Sequence, residues 1–147
     1  MYEETRGAVT RGEVNPTALG PKQSLLRLQK IMDEYVAGQG SGYITNGPTL
    51  TRGLELLHML REDLPRMAAR DLHELLRAWE VWDRYYCAEA HARHVLFREE
   101  TRWPGYYYRG DFPKLDESNW KCFTTSRYDP EKNEWTLAKK PYIALIP

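Results

Sequence analysis

Hydrophobic residues recur at steps of three and four through the first two-thirds of the chain, the spacing that places them on one face of a helix. Three segments show this pattern, and we predict helices over residues 22–37, 49–64 and 67–98. The pattern therefore predicts a three-helix bundle. Its expected core positions are Leu25, Leu28, Met32, Tyr35 and Val36 in the first helix, Leu50, Leu54, Leu57, Leu60 and Leu64 in the second, and Leu72, Leu75, Leu76, Trp79, Trp82, Tyr86, Ala90 and Val95 in the third.

Residues near the helix ends predict where the helices begin and stop. Pro21 suits the first turn of the first helix, and Thr49 or Thr51 is a plausible N-cap for the second, which Pro65 should stop or kink. The third helix would span about 45 Å, so its end is expected to project toward a neighbour. Its polar side is expected to carry Glu74, Arg77, Glu80, Asp83, Arg84 and Glu89.

The pattern changes after residue 119. Residues 120–128 and 135–138 are rich in aromatic and β-branched side chains, and the turn-forming residues 129–133 separate them. This arrangement predicts a β-hairpin, followed by an apolar, extended tail over residues 141–147. The expected fold class is mainly α: a three-helix bundle, an aromatic loop and a C-terminal hairpin. Residues 1–20 show no period and are interpreted as a linker or arm, which leaves residues 21–147 as one domain.

An aromatic loop directly follows the third helix. Pro104 and Gly105 break the helix there. A loop so rich in rings must be buried or must dock on another surface. Interfaces enrich arginine, tryptophan and tyrosine together, which favours an interface over a set of catalytic acids and bases drawn from Glu99, Glu100, Arg102, Arg109 and Asp111. The candidate interface residues are Arg102, Trp103, Tyr106, Tyr107, Tyr108 and Arg109.

Charge and cysteine content narrow the function classes. The chain has 21 basic residues (lysine plus arginine) and 21 acidic residues (aspartate plus glutamate). This balance of charge does not favour nucleic-acid binding. No apolar run approaches the roughly 20 residues that a membrane span needs. The two cysteines, Cys87 and Cys122, show no disulfide or CxxC spacing and suggest a reducing cytoplasm.

Two further motifs resemble binding sites, but each is incomplete. Cys87, His91 and His94 share one helical face, as zinc ligands can, but no second cluster supplies a fourth ligand, so no metal is expected. The glycines of residues 38–42 follow a helix rather than a strand and lack the dinucleotide-binding pattern. They are interpreted as a flexible connection between helices. We therefore predict no catalytic and no cofactor-binding residue in this chain.

Several stretches resemble a known family. Residues 67–80, 88–109 and 119–123, with residues 15–16 and 28–35 upstream, are similar to the C-terminal helical domain of dissimilatory adenylylsulfate reductase alpha subunits, within the fumarate reductase and succinate dehydrogenase flavoprotein group. The resemblance implies a subunit that holds FAD and interconverts adenosine 5′-phosphosulfate with sulfite and AMP. It also implies a beta subunit that carries iron–sulfur clusters of the 4Fe–4S type.

The same resemblance implies that this chain is a structural part of such an enzyme. The FAD-binding fold and the flavin-side catalytic residues of that family lie upstream of this region, and none maps onto a position here. The chain alone is therefore expected to be inactive and to pack on the FAD-binding part of its own subunit. The alternative is a stand-alone helical module that binds a protein partner through its aromatic loop.

Overall fold

Three helices form the larger part of the fold in the computed structural model, which describes residues 18–103 and 106–143. They are α1 (Pro21–Tyr35), α2 (Gly47–Asp63) and α3 (Leu72–Phe97), with short 3-10 turns at Gln39–Ser41 and Leu64–Arg66. Each helix packs against the other two. The predicted bundle is confirmed, whereas most of the predicted arm and the last four residues of the tail lie outside the described residues.

The core lies between the three helices. Every predicted position on α2 and the turn after it is buried, because the leucines repeat at helical spacing on a single side. In α1 the buried face is centred on Leu28 and Ile31, and Leu25, Met32 and Tyr35 pack against it from the edge. This agreement follows from strong periodicity, which leaves little choice of face.

Helix α2 begins earlier than the sequence suggested. The side chain of Asn46 accepts a hydrogen bond of 2.9 Å from the backbone N–H of Thr49, so Asn46 is the N-cap. The predicted caps Thr49 and Thr51 are therefore wrong, and both lie inside the first turns. Asparagine is a strong N-cap, and Pro48 is accepted beside it because the first helical N–H groups need no intrahelical partner.

Helix α3 is shorter than predicted and turns a different side to the core. Asp71 caps it by accepting a 2.8 Å bond from the N–H of Glu74, so residues 67–71 lie outside the helix. Its 26 residues span about 39 Å. Leu72 and Leu76 are exposed, against expectation. The buried side carries Leu75, Ala78, Val81, Trp82, Tyr85, Ala88, Glu89, Ala92 and Val95.

The alanines explain this rotation of the buried face. Small side chains let neighbouring helices approach closely. A prediction based on large apolar residues does not assign these alanines to the core. Glu89 was expected on the polar side, but it is 1% exposed. His58 of α2 and Arg93 of α3 bind its carboxylate. The prediction was wrong because these tertiary contacts compensate a charge that the pattern assigns to the surface.

Two small sheets complete the fold. A short parallel pairing joins β1 (Ile44–Thr45) to β2 (Tyr108–Arg109). After the four-residue helix α4 (Glu117–Trp120), β3 (Cys122–Asp129) and β4 (Glu134–Pro141) form the predicted antiparallel hairpin, in register from Cys122 opposite Pro141 to Asp129 opposite Glu134. The hairpin is confirmed. No local pattern predicts the parallel pairing, because its strands are two residues long and far apart in the chain.

The hairpin rests on α2 and α3 through rings, arginines and a histidine. Arg98, directly after α3, donates a 2.9 Å bond to the Cys122 carbonyl, and His94 lies 3.1 Å from the Thr124 hydroxyl. The hydroxyl of Tyr128 accepts a 2.7 Å bond from Arg61. Its ring centroid lies 5.5 Å from that of Tyr86 and 5.0 Å from that of Trp135. A hairpin alone is marginally stable, so these contacts supply the partner surface that it needs.

Candidate functional site

The aromatic loop is joined to the helices by the parallel pairing. The N–H of Tyr108 donates a 2.7 Å bond to the carbonyl of Tyr43, and the N–H of Gly110 donates one of 2.7 Å to that of Thr45. The second side of the loop is closed by Thr101, whose hydroxyl accepts from the N–H of Arg109 and donates to the carbonyl of Phe112. The loop backbone is therefore held on both sides.

Arg109 caps the end of α3 from within the loop. Its guanidinium donates to the carbonyls of Val95 at 2.5 Å, Leu96 at 3.1 Å and Arg98 at 2.9 Å. The last carbonyls of a helix lack intrahelical partners and form the negative end of its dipole, so a cation is stabilised there. Arg109 is 1% exposed, and its charge acts inside the chain.

Asp111 neutralises Arg109 and connects it to α2. Its carboxylate accepts two bonds of 2.9 Å from Arg109 and one of 2.8 Å from the N–H of Gly47 at the start of α2. A Cβ at position 47 would lie 3.2 Å from the carboxylate, so glycine suits this close approach. The bonds from Arg109, and then that from Gly47, lower the pKa of Asp111 to about 2. The end of α3 is thus tied to the beginning of α2.

Glu100 forms a second buried ion cluster. It is 0% exposed and accepts bonds from Arg98 at 2.5 Å and from Arg102 at 2.6 Å, while the N–H of Asp116 donates to its other oxygen at 2.9 Å. Burial acts to raise the pKa of Glu100, but the bonds from Arg102, Asp116 and Arg98 outweigh it and lower that pKa. Arg102 also pairs with Glu117 at 2.8 Å.

These pairings leave the charged residues occupied with one another. Glu100, Arg102, Arg109 and Asp111 were considered as acids and bases, yet each is engaged in bonds that shape the loop. The rings are placed differently. Tyr107 packs against the core, whereas the exposed fractions of Trp103, Tyr106 and Tyr108 are 59%, 79% and 40%. The exposed side chains of Tyr43, Ile44, Trp103, Tyr106, Tyr108 and Phe112 are called the aromatic surface below.

The candidate interface residues thus divide into two groups. Arg102, Tyr107 and Arg109 lie wholly or partly inside the chain, where they support the loop. Trp103, Tyr106 and Tyr108 face outward. Sequence reasoning did not select Tyr43 and Ile44, because only the parallel pairing brings them beside the loop. An interface here stays a prediction.

The weaker motifs do not come together into a site. Cys87 and His91 are exposed, and His94 lies 3.1 Å from the Thr124 hydroxyl. Over residues 18–103 and 106–143, no group of three histidine, cysteine or acidic side chains could hold a metal. None of the helices in the same ranges is long and apolar enough for a membrane span.

The glycine-rich connection binds a carboxylate of its own chain. The N–H of Gly38 donates to the Asp33 carbonyl, and that of Gly40 donates to the Asp33 carboxylate at 2.8 Å. A Cβ at either glycine would lie 2.3 Å from an Asp33 atom. Two bonds to Asp33 therefore hold the connection in this conformation. The N–H groups of Gly38 and Gly40 are not free to cradle a phosphate.

Comparisons with known proteins agree with this fold. The family described as fumarate reductase flavoprotein C-term matches residues 26–144. The adenylylsulfate reductase subunit alpha of Megalodesulfovibrio gigas is 50% identical over 146 residues, which are 99% of this chain and 22% of that protein.

Solved structures show the same relationship. The adenylylsulfate reductase of Archaeoglobus fulgidus has a TM-score of 0.88 and 55% identity, over 99% of this chain and 23% of that one. The quinol fumarate reductase of E. coli has a TM-score of 0.75 at 18% identity, over 99% and 24%, which is a likeness in fold alone. The chain thus spans less than a quarter of the length of these relatives.

Proposed function

The chain belongs to the family of fumarate reductase flavoprotein C-terminal domains, and from that premise we propose that it forms the C-terminal domain of an adenylylsulfate reductase alpha subunit. The observation that supports this most is the 50% identity to such a subunit over nearly the whole chain. Fumarate reductase shares the fold at only 18% identity, so the similarity favours the sulfur enzyme over the wider group.

The proposed role is structural. The parent subunit would hold FAD in its upstream part and interconvert adenosine 5′-phosphosulfate with sulfite and AMP, with electrons passing through an iron–sulfur beta subunit in the cytoplasm. The charged residues of the aromatic loop pair with one another. This supports a structural role for the domain rather than a catalytic one. In this proposal residues 1–20 are the connecting arm and residues 21–147 the domain.

A chimera tests the proposal. The corresponding C-terminal segment of the Megalodesulfovibrio gigas alpha subunit is replaced by this chain, and FAD content and adenylylsulfate reductase activity are measured. We expect both to be retained. The matched control carries the equivalent segment of the E. coli fumarate reductase, which should support neither. If both chimeras lose FAD equally, the proposal is wrong, and a stand-alone interaction module becomes the better explanation.

We further propose that the aromatic surface contacts the FAD-binding part of the same subunit. Trp103 is 59% exposed although it is the largest ring of the loop. Aromatic anchors at the centre of an interface commonly contribute about 2 kcal/mol or more. Trp103→Ala in the chimera should therefore lower FAD retention while the stability of the 147-residue chain changes by less than about 0.5 kcal/mol.

A second exposed apolar residue provides the control. Leu72 is 76% exposed and lies at the opposite end of α3. Leu72→Ala should leave FAD retention unchanged. Equal losses of stability from Trp103→Ala in the chain and in the chimera would show that Trp103 supports only its own domain. A loss of FAD from Leu72→Ala alone would place the interface at the other end of the helix.

A further inference from the structure

Three non-glycine residues in the described part of the chain have a left-handed backbone. Their φ angles are +61° at Ala37, +62° at Tyr43 and +55° at Asn133. This region is unfavourable for residues that carry a Cβ, least so for asparagine, and a bulky side chain there is a clear outlier. Such residues persist only where the surrounding structure holds them, and they cluster at functional sites. Each of the three positions therefore calls for an explanation.

Two of these residues are explained by contacts of their own side chains. Ala37 is small and 7% exposed, so its methyl group is buried against the helices. Asn133 belongs to a residue type that tolerates this region, and its side-chain oxygen accepts a 3.1 Å bond from the Tyr128 hydroxyl. In both cases the side chain makes a contact within the domain that glycine could not make.

The backbone of Tyr43 explains why its position needs a left-handed residue. It follows Gly42, which has a φ of +64° and ends the 3-10 turn. The N–H of Tyr43 donates a 2.9 Å bond to the Gly38 carbonyl, and its own carbonyl accepts the 2.7 Å bond from Tyr108. The conformation thus leads the chain from the glycine-rich connection into β1. Glycine could make the same two backbone bonds with less strain.

The side chain of Tyr43 has no comparable role within the domain. It is 43% exposed, and it makes no hydrogen bond, ion pair or ring contact with the described residues. No polar or aromatic contact there offsets the strain of its backbone. The function of the ring is therefore sought outside the domain.

The surroundings of Tyr43 indicate what kind of partner its ring would meet. Tyr43 belongs to the aromatic surface, whose other rings are exposed as well, whereas the charged side chains of the loop pair with one another. An apolar partner face suits such a surface. The chain corresponds to only 22% of the Megalodesulfovibrio gigas subunit, which leaves most of that subunit to cover this face.

We propose that the strained Tyr43 destabilises the isolated chain and stabilises the assembled subunit, because its ring contacts an apolar face of the FAD-binding part. This inference rests on the proposed function and adds to it a contact from outside the aromatic loop. The two backbone bonds of Tyr43 fix the direction of its Cα–Cβ bond before the two parts meet. Less conformational freedom is then lost on contact.

Two variants, each made in the 147-residue chain and in the Megalodesulfovibrio gigas chimera, test this proposal. Tyr43→Gly removes the strain and the ring together. In the chain alone it should lower the equilibrium constant for unfolding about fivefold, measured in urea, because the left-handed strain is relieved. In the chimera it should shorten the half-time of FAD loss about tenfold. Tyr43→Phe keeps the ring and should leave that half-time unchanged.

A second left-handed residue provides the matched control. Ala37→Gly relieves the same kind of strain at a buried residue that does not belong to the aromatic surface. It should leave the half-time of FAD loss unchanged. An equal shortening in Ala37→Gly and Tyr43→Gly would show that loosening of the connection, and not loss of the ring, releases FAD, which overturns the proposal.

The remaining outcomes separate this inference from the proposed function. If Tyr43→Gly makes the isolated chain less stable, the ring supports its own domain and the inference is wrong. It is also wrong if Tyr43→Phe loses FAD as fast as Tyr43→Gly. If Trp103→Ala speeds FAD loss but Tyr43→Gly does not, this inference alone fails. A chimera that holds no FAD without any substitution rejects the proposed function and this inference with it.

Discussion

The segment after α3 and the hairpin both display aromatic rings, but they are attached to the helices by different interactions. In residues 98–112 two charged side chains, Glu100 and Arg109, are almost fully buried and are bound by several partners each. The hairpin contacts α2 and α3 through tilted ring pairs, the Arg61 guanidinium, a His94–Thr124 contact and one bond from Arg98 to the Cys122 carbonyl, and most of β4 is exposed. Buried charges anchor the first region, whereas partly exposed contacts make up most of the attachment of the hairpin.

This difference predicts at which positions the removal of one side chain destabilises the fold most. A buried ion pair adds little compared with an apolar pair, but breaking it leaves an uncompensated charge in the interior. Surface contacts lose only what they contributed. We therefore expect the loop to hold one shape and to fail abruptly, whereas the hairpin should separate from the bundle at modest cost. The following predictions are ordered by the size of the expected effect.

Removal of Arg109 should have the largest effect. Arg109→Met leaves Asp111 and the last carbonyls of α3 without their donor, and we expect a loss of about 3–5 kcal/mol in the free energy of unfolding. Urea denaturation measures it. The control is Arg66→Met, whose side chain is 81% exposed and should cost less than about 0.5 kcal/mol. Similar losses in the two variants would show that the buried charges do not anchor the loop.

Neutralisation of Glu100 should lower the free energy of unfolding by about 2 kcal/mol, because the bonds that Arg98 and Arg102 donate to its charged carboxylate are weakened together. Glu100→Gln preserves the shape of the side chain. Its neighbour Glu99 is exposed, and Glu99→Gln is therefore the matched control. Thermal or urea unfolding of both variants decides. An equal, small change would mean that the cluster around Glu100 is energetically neutral.

Acid should destabilise the folded chain through Asp111. The pKa of Asp111 in the folded chain is about 2, below its ordinary value of 3.8, because Arg109 donates to the charged form. The stabilisation is therefore complete above about pH 4 and is lost as the pH falls through about 2. Asp111→Asn should flatten this part of a stability–pH curve measured from pH 2 to 6. A curve identical to that of the unmodified chain would contradict the assignment.

The hairpin should show the smallest effect. Arg61→Ala removes the bond to Tyr128 and the stacking of the guanidinium near its ring, 5.8 Å from the centroid, for about 1 kcal/mol. Hydrogen exchange should become faster in β3 and β4 but not in α3. Arg52→Ala is the control, because that arginine makes only an exposed pair with Glu55 on the same helix. Faster exchange throughout α3 would mean that the hairpin and the bundle open together.

The sequence by itself determined the three helices, the hairpin and the buried stripe of α2, because each is a local pattern with a clear period or turn. Resemblance also identified the family. The predicted start of α3 at Met67 is wrong because the side chain of Asp71 caps the helix, which therefore begins at Leu72. The position of Glu89 was missed because periodicity assigns a charge to the surface unless its partners are known.

Only the tertiary structure decided which charges and rings of the loop point inward. Arg109 is inside because the carbonyls at the end of α3, 11 to 14 residues away in the chain, accept its N–H groups. Glu100 is inside because the N–H of Asp116, 16 residues away, completes the set of donors that begins with its neighbours Arg98 and Arg102. The pairing of Ile44–Thr45 with Tyr108–Arg109 likewise depends on how α1 and α2 pack. Local patterns record what each residue prefers, but burial of a charge is decided by the groups that the fold brings to it.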